Sequence, residues 1–216
     1  MKVERSRTLR VRASGPLACF TRPELKVERV SYPVMTPSAA RGILEAVLWK
    51  PAIAWRIERI KVLSPIRFTS FRRNEVGSRV PSFKSTPPAE FYADEDRQQR
   101  NTVALSEVRY VVEAHFVLTP RAGAEDTVRK FEEMFERRVE KGQHFHQPYF
   151  GCREFIAAID PADGAESPIE ETRDLGLMLH DIEFAASDKG KNVPRFFPAR
   201  LERGVLAVPP LEGAAP

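Results

Sequence analysis

The stretch from Ser31 to Pro51 constrains the fold more than any other part of the chain. Thr36 can accept hydrogen bonds from the first free N–H groups of a helix, and Pro37 suits the first helical position. Apolar residues then recur at three- and four-residue spacing, namely Ile43, Leu44, Val47 and Leu48. This stripe predicts a helix over residues 37–49 that buries one face, and the proline at position 51 prevents the helix from continuing.

The composition indicates a soluble protein with a substantial hydrophobic core. Of the 216 residues, 42% are hydrophobic and 30% are charged, which suits one domain or two small ones. The formal net charge of +4 permits a nucleic-acid partner without requiring one. Cys19 and Cys152 are too few for a disulfide framework or a zinc site, so we expect two reduced thiols. No apolar run is long enough to cross a bilayer and none resembles a signal segment, so we expect a cytoplasmic protein without membrane contact.

The remaining apolar patterns predict an antiparallel α+β fold. Alternation over residues 9–13 indicates a strand that ends at Gly15-Pro16, and residues 55–63 indicate a second strand with a bulge near Glu58-Arg59. The clearest strand pattern covers residues 103–118. The same reasoning predicts a second helix over residues 125–141, and further strands over 66–71, 153–159, 175–184 and, as one or two strands, 194–208.

The order of these elements predicts two structural units. The first, residues 1–160, has the β-α-β-β-α-β order of ferredoxin-like domains, which RNA-recognition domains share. Residues 161–216 then form a small antiparallel β subdomain packed on the first unit, because so few strands are not stable alone. Residues 65–101 form a long insertion in the first unit, within which Arg72-Arg73-Asn74 indicates a turn or loop.

Basic and aromatic residues are interleaved within this insertion. The basic residues are Arg67, Arg72, Arg73, Arg79 and Lys84, and the aromatic residues are Phe68, Phe71 and Phe83. Binding of single-stranded RNA requires arginines for the phosphates and rings for base stacking. The same composition fits a solvated loop whose phenylalanines pack on the core, and the sequence leaves both interpretations open.

A second basic cluster lies on the second predicted helix and on the segment after it. Its members are Arg129, Lys130, Arg137, Arg138, Lys141, His144, His146 and Arg153. Interspersed glutamates nearly cancel the charge of the helix, which favours ion pairs at i,i+4 spacing along a solvated face. Two histidines two residues apart can ligate a metal, but no third histidine or cysteine is near, so loop roles are favoured and no metal is expected. His115 and His180 lie in predicted strands, where hydrogen-bonded structural roles are favoured.

Four stretches of the chain, taken together, resemble one protein family. They are VSYPVMTPSAARGILEAVLWKP, LSEVRYVVEAHF, RRVEKGQHFHQPYFGCREF and DLGLMLHDIEF. In this order they are similar to the subtype I-C CRISPR-associated RAMP proteins of the Cas5 group. The resemblance spans nearly the whole chain and implies a ferredoxin-like N-terminal domain followed by a small C-terminal β domain.

The resemblance also implies a function. Proteins of this group hold the repeat-derived 5′ handle of the guide RNA inside a Cascade complex, in contact with its large and backbone subunits. In subtype I-C they also cut the precursor RNA (pre-crRNA) within its repeats, without a metal or other cofactor. The 2′-hydroxyl attacks the adjacent phosphate and leaves a 2′,3′-cyclic phosphate and a 5′-hydroxyl. That reaction requires a proton acceptor and a cation beside the phosphate.

The cleavage residues of the family match this chain only in part. A tyrosine is expected at the end of the first helix, where this chain has Leu48. An adjacent lysine and histidine of the second helix correspond to Lys130 and Phe131, so only the lysine is kept.

Three hypotheses follow from this partial match. In the first, Lys130 supplies the cation and Tyr32, His144 or His146 transfers the proton. In the second, the chain holds the 5′ handle without cutting, and in the third it binds nucleic acids, including duplex DNA, without specificity. The residues expected to contact RNA are Arg41, Arg67, Arg72, Arg73, Arg79, Lys84, Arg137, Arg138 and Arg153.

Overall fold

The computed structural model describes residues 4–25, 27–78, 92, 94–183 and 192–210. Within these residues the helices are α1 (Pro37–Val47) and α2 (Val128–Glu140), with one 3-10 turn at Pro23–Leu25. The strands are β1 (Leu9–Ala18), β2 (Arg29–Val30), β3 (Ile53–Val62), β4 (Phe68–Val76), β5 (Arg97–Leu118), β6 (Ala158–Pro161), β7 (Arg173–Glu183), β8 (Val193–Glu202) and β9 (Val205–Ala207).

Helix α1 begins and packs as its sequence predicts. The Thr36 hydroxyl accepts from the Ala39 N–H at 3.3 Å, and Pro37 follows it as the first helical residue. The helix ends two residues earlier than expected, because Leu48 leaves helical geometry with φ −143° and ψ 102°. The indole Nε1 of Trp55 donates to the Leu48 carbonyl at 3.0 Å, which ties this end of the helix to β3.

The hydrophobic core lies between the two helices and one face of the sheet. Trp55 of β3 packs on Phe116 of β5 at 5.3 Å and on Phe135 of α2 at 4.8 Å between ring centroids. Phe131 of α2 meets Phe116 edge to face at 6.2 Å. The apolar stripe predicted for the second helix therefore faces the core, with Phe131, Phe135 and Val139 buried.

The strands form one mostly antiparallel sheet, which confirms the predicted α+β class. Its order is β6-β1-β5-β3-β9-β8-β7, and β2 and β4 pair with β5 outside this path. Every pairing is antiparallel except that of β2 with β5. The register of β3 against β5 shifts between Ile57 and Arg59, which confirms the predicted bulge. Strands β7 to β9 join the sheet through three residue pairs between β3 and β9.

Strand β1 does not end at Gly15-Pro16 as predicted but continues to Ala18. A Cβ atom at Gly15 would lie 2.7 Å from the Ile156 carbonyl oxygen, so the close approach of backbone requires glycine here. Pro16 is tolerated because the pairing skips it: Gly15 pairs with Val108 and Leu17 with Ser106. The skipped residue of β5, Glu107, has a positive φ of 51°, which marks an irregularity in the strand.

Two further boundaries differ from the prediction for tertiary reasons. Arg72-Arg73-Asn74 lies in β4 and not in a turn or loop, because β5 begins at Arg97 and its first residues provide backbone partners for this segment. The strand predicted over 153–159 is instead β6, Ala158–Pro161. The segment before it turns back on itself, since the Phe155 N–H donates to the Cys152 carbonyl at 2.9 Å.

Candidate nucleic-acid interface

The end of α1 is joined to the segment that follows α2. The Phe145 N–H donates to the Ala46 carbonyl at 2.7 Å, and the Arg138 guanidinium donates to the Val47 carbonyl at 2.6 Å. Carbonyls in the last turn of a helix have no partner within the helix, so these two contacts satisfy groups that would otherwise need water. Arg138, one of the predicted RNA contacts, therefore has a structural role as well.

This junction presents a surface with both aromatic and basic side chains. Trp49 is 57% exposed and Phe145 is 77% exposed, which is unusual for rings of this size. Arg137, Lys141, His144 and His146 are also exposed. We call Trp49, Arg137, Lys141 and residues 144–146 the helix-end surface. Exposed rings beside cations can stack bases and bind phosphates.

Lys130 lies apart from the two loop histidines. It occupies the first turn of α2, where its ammonium donates to Asp126 Oδ1 at 3.0 Å and to the Glu125 carbonyl at 3.3 Å. The hydrogen bond from the Gly123 N–H, and to a lesser extent that from Lys130, holds the pKa of Asp126 below its usual value. Glu140, the last residue of α2, lies ten positions after Lys130, which is about 15 Å along the helix axis. The structure therefore places Lys130 in the first turn of α2, whereas His144 and His146 lie in the loop after its C-terminal end.

Tyr32 is buried near the opposite end of α1. Only 1% of it is exposed, and the Arg22 guanidinium lies over its ring at 4.7 Å from the centroid. Burial raises the pKa of its hydroxyl, which bonds to the backbone of Leu179. In this conformation the hydroxyl does not reach the helix-end surface.

The two positions at which the family resemblance predicts catalytic side chains belong to the core. Leu48 is fully buried and Phe131 is 2% exposed. Phe131 contributes to the ring cluster around Phe116, so its side chain is committed to packing. Neither residue offers a group that transfers protons.

Strand β4 pairs with the first part of β5 in a ribbon whose two faces differ. Phe68, which is 48% exposed, and Arg72 point to the solvent face of β4, and Arg67 is exposed just before the strand. The opposite face is used internally: Phe71 packs on Phe155, and Arg73 pairs with Glu75 and Glu154. Arg79, Phe83 and Lys84 lie outside the described residues. Of the residues predicted to contact RNA, Arg67 and Arg72 therefore face solvent, whereas Arg73 is held by ion pairs within the chain.

Of the other predicted contacts, Arg41 is bound within the chain and Arg153 is exposed in a loop. Arg41 donates twice to Asp181, at 2.8 and 2.9 Å, and once to Glu45 at 2.7 Å. Burial alone would lower the pKa of this guanidinium, but the two carboxylates raise it above its ordinary value. Arg41 therefore connects α1 to β7. Because two carboxylates already neutralise its charge, it is poorly suited to bind an external phosphate.

A pocket that sequence reasoning missed lies beside the edge of β3. It has a volume of about 360 Å³ and contains a histidine–carboxylate pair, in which His115 Nδ1 lies 2.7 Å from Glu58 Oε1. Desolvation by burial lowers the pKa of His115, although the hydrogen bond to Glu58 opposes the shift. The sequence feature that could have indicated this pocket was the predicted bulge at Glu58-Arg59, because the side chain of a bulged residue is displaced from regular pairing.

Possible metal ligands, the two cysteines and the helices add no further candidate site among the described residues. Among the described residues no cluster of three His, Cys, Asp or Glu side chains is arranged to hold a metal ion. Both cysteines are free and buried. The hydrogen bond with Cys19, and to a lesser extent that from the Arg29 guanidinium, lowers the pKa of Cys152 to about 6. In the described part of the chain, no helix is both long and apolar enough to span a membrane.

Residues 8–209 match the family of CRISPR-associated proteins designated Cas5, in its Cas5d form. The chain is 50% identical to a curated pre-crRNA endoribonuclease Cas5d from Mannheimia succiniciproducens, with 94% of this chain and 95% of the relative covered. It is 44% identical to the Cas5d pre-crRNA endoribonuclease of Thermus thermophilus, with 93% and 91% covered.

Solved structures give the same fold at lower identity. The crystal structure of a CRISPR-associated protein matches with a TM-score of 0.71 at 24% identity, covering 96% of this chain and 94% of the other. The functionally uncharacterized SMU1763c from Streptococcus mutans matches with a TM-score of 0.70 at 24% identity, covering 97% and 95%. At this identity the likeness concerns the fold alone.

Proposed function

Because this chain belongs to the Cas5 family of CRISPR-associated proteins, we propose that it binds the repeats of pre-crRNA and cuts them as an endoribonuclease. The single observation that carries this proposal is the 50% and 44% identity, over more than nine tenths of each chain, to two curated pre-crRNA endoribonucleases. The reaction proposed is attack of the 2′-hydroxyl on the adjacent phosphate, which needs no metal ion. In this proposal the product RNA stays bound by its 5′ handle.

The same family membership supports a setting for the reaction. The chain acts in the cytoplasm as a subunit of a type I-C Cascade complex and contacts its large and backbone subunits. Its N-terminal unit, residues 1–160, is ferredoxin-like, and residues 161–216 form the small β subdomain. The strand order β6-β1-β5-β3, with α1 between β1 and β3 and α2 between β5 and β6, supports the ferredoxin-like assignment.

The helix-end surface and α2 are the proposed place of cleavage. Trp49 and Phe145 offer rings for base stacking, and Arg137 and Lys141 offer charge for phosphates. His144 or His146 transfers the proton, and Lys130 stabilises charge on the phosphate. For this reaction Lys130 and one of these histidines must reach the same phosphate, and a movement of the histidine loop when RNA binds would bring them together. Tyr32 can take part only if the burial around it is disrupted.

A second candidate function is supported by two buried side chains. Leu48 and Phe131 occupy the family's tyrosine and histidine positions and are 0% and 2% exposed. A chain that has lost both groups can still seat the 5′ handle on basic surfaces without cutting. The two functions differ in one observable, which is cleavage of the free repeat.

The test is incubation of the purified chain with its cognate repeat RNA in excess EDTA. The proposal expects one specific cut, mapped at nucleotide resolution, with a 5′-hydroxyl on the downstream product. Binding without any cut, both in EDTA and in a parallel reaction with Mg²⁺, supports the handle-binding scaffold and rejects the endoribonuclease, whereas a cut with Mg²⁺ alone rejects the metal-free reaction.

A third possibility, non-specific binding that includes duplex DNA, is separated by competition. Non-specific affinity rests on phosphate contacts and falls steeply with salt. We expect unlabelled duplex DNA to compete weakly with the repeat at physiological salt, whereas equal competition by both would favour a general nucleic-acid-binding protein.

A further inference from the structure

The pocket beside β3 is built around the carboxylate of Glu58. Its Oε1 accepts from His115 at 2.7 Å and from Arg5 at 3.1 Å, and its Oε2 accepts from Thr8 at 2.9 Å. Three donors from two other segments thus fix one carboxylate on the bulge of β3. A side chain held this firmly can orient its neighbour's ring.

His115 presents a fixed hydrogen-bond acceptor. Because a carboxylate only accepts, the proton of the neutral imidazole lies on Nδ1, and Nε2 keeps its lone pair. The side chain is 16% exposed and lines the pocket. His115 neighbours Phe116, which packs toward α2, so its ring lies on the sheet face away from the helices. The helix-end surface does not use this group.

His180 has the same polarity on the other wall of the pocket. Its Nε2 lies 2.8 Å from the Pro209 carbonyl oxygen, which only accepts, so Nε2 carries the proton and Nδ1 of the neutral ring is an acceptor. Within the described part of the chain, this buried Nδ1 has no hydrogen-bond partner. Because this nitrogen is enclosed by protein atoms, a ligand in the open pocket does not reach it, and His180 serves as part of the wall.

Apolar and charged side chains complete the pocket. The apolar ones include Pro37, Ile57, Val117, Val208 and Pro209, and the charged ones besides Glu58 are Arg41, Arg56 and Asp181, of which Arg41 and Asp181 pair with each other. Strand β9 pairs with β3 only at Arg59–Lys61, so in the described residues the pocket follows the part of the β3 edge before the bulge. A cavity of about 360 Å³ that combines apolar and polar side chains is large enough for a small organic group.

We propose that this pocket binds one unpaired nucleobase of the RNA, extruded from the strand, through N–H donors on the base. The Nε2 acceptor of His115 favours a base with an exocyclic amino group, and the apolar side chains of the pocket favour a planar heterocycle. The inference rests on the proposed function, because it takes the base from the bound repeat. It assigns Glu58 as a positioning residue and His115 as a binding residue.

The test combines a filled pocket with an RNA that lacks single bases. Val117→Phe places a ring in the cavity, and Leu177→Phe adds the same ring at a site that is 68% exposed and outside the pocket. The probes are cognate repeat RNAs, each with one abasic nucleotide, and the measurement is the equilibrium Kd of each protein for each RNA. Melting temperatures show whether both variants fold.

The native chain and Leu177→Phe are expected to bind one particular abasic RNA about tenfold more weakly than the intact repeat, since a bound base contributes about 1–3 kcal/mol. Val117→Phe is expected to bind the intact RNA about as weakly as that abasic RNA, with no further loss when the base is missing. If Val117→Phe fails to fold, His115→Ala replaces it, and its loss of affinity is expected for the intact RNA only.

Other outcomes overturn the inference in distinguishable ways. If the native chain cuts the repeat but the effects of Val117→Phe and of every abasic site simply add, the pocket assignment is wrong and the proposed function stands. If the native chain neither binds nor cuts the repeat, both are wrong. A free-nucleotide control uses AMP and CMP: saturable binding that Val117→Phe abolishes, without coupling to any abasic site, assigns the pocket to a free nucleotide and rejects the RNA strand as its source.

Discussion

The family resemblance predicts Lys130 as a cleavage residue, and its surroundings allow a direct test. Its ammonium is 44% exposed and is held by Asp126. If it stabilises charge on the phosphate, Lys130→Ala should slow single-turnover cleavage about a hundredfold while RNA affinity falls only a few-fold. The matched control is Arg129→Ala, since Arg129 is the adjacent cation, is 87% exposed and pairs with Glu133. Undiminished cleavage by Lys130→Ala removes this lysine from the mechanism.

The titration of His115 is predicted with a definite sign. Burial holds its pKa below the ordinary value of 6.5, and the Glu58 hydrogen bond acts in the opposite direction. The unfolded chain therefore binds this proton more readily, so the contribution of His115 to the free energy of unfolding is lost as pH falls below 6.5 toward the folded-state pKa. NMR titration of the ring should show the lowered pKa, and Glu58→Gln should lower it further. A pKa above 6.5 in the native chain contradicts the described surroundings.

At the scale of elements, the ribbon of β4 and β5 has one face toward solvent and one toward the chain. Arg72 lies on the exposed face, whereas Arg73 is paired with Glu75 and Glu154. If the ribbon contacts the RNA backbone, Arg72→Ala should reduce the slope of log affinity against log salt by about one. Arg200 is also an exposed arginine on a strand, in β8, so Arg200→Ala is the control and should leave the slope unchanged. An unchanged slope for Arg72→Ala means that the outer face does not bind phosphate.

The turn that precedes β6 depends on a glycine. Gly151 has a φ of +79°, and a Cβ atom there would collide with the Cys19 carbonyl group. Gly151→Ala should therefore destabilise the chain by about 1–3 kcal/mol, and more if the backbone of β1 cannot shift. Gly142→Ala is the matched control, because its φ is +61° but its Cβ would meet nothing within 4 Å. Chemical denaturation of both variants measures the difference, and equal stabilities would mean that the close approach to Cys19 costs nothing.

Local signals predicted some elements better than others. The cap at Thr36, the proline after it and the apolar stripe all lie in one short stretch of sequence. The position of α1 therefore follows from the sequence to within two residues. The bulge near Glu58 was also visible locally. Arg72-Arg73-Asn74 was assigned to a turn or loop because its strand partner, the start of β5, lies 25 or more residues later in the chain.

The candidate sites show the same limit at the level of side chains. Sequence reasoning names His144 and His146 because they lie two residues apart at the end of a basic cluster. It gave His115 only a structural role, because the contact with Glu58 joins two strands across 57 residues. Burial of Tyr32 under Arg22 depends on tertiary packing in the same way.

For the whole molecule, three surfaces offer chemistry to an RNA: the helix-end surface, the outer face of the ribbon and the pocket beside β3. They lie on different elements of the fold, and the proposed function uses all three to hold one repeat.

The central claim is that the 2′-hydroxyl of the RNA is the nucleophile. The most direct measurement compares the cognate repeat with the same RNA carrying a single 2′-deoxynucleotide on the 5′ side of the cut, both in EDTA. We predict equal affinity for the two RNAs, cleavage of the first to a 2′,3′-cyclic phosphate and a 5′-hydroxyl, and no cleavage of the second. Cleavage of the deoxy-substituted RNA at the same bond would contradict the proposed mechanism.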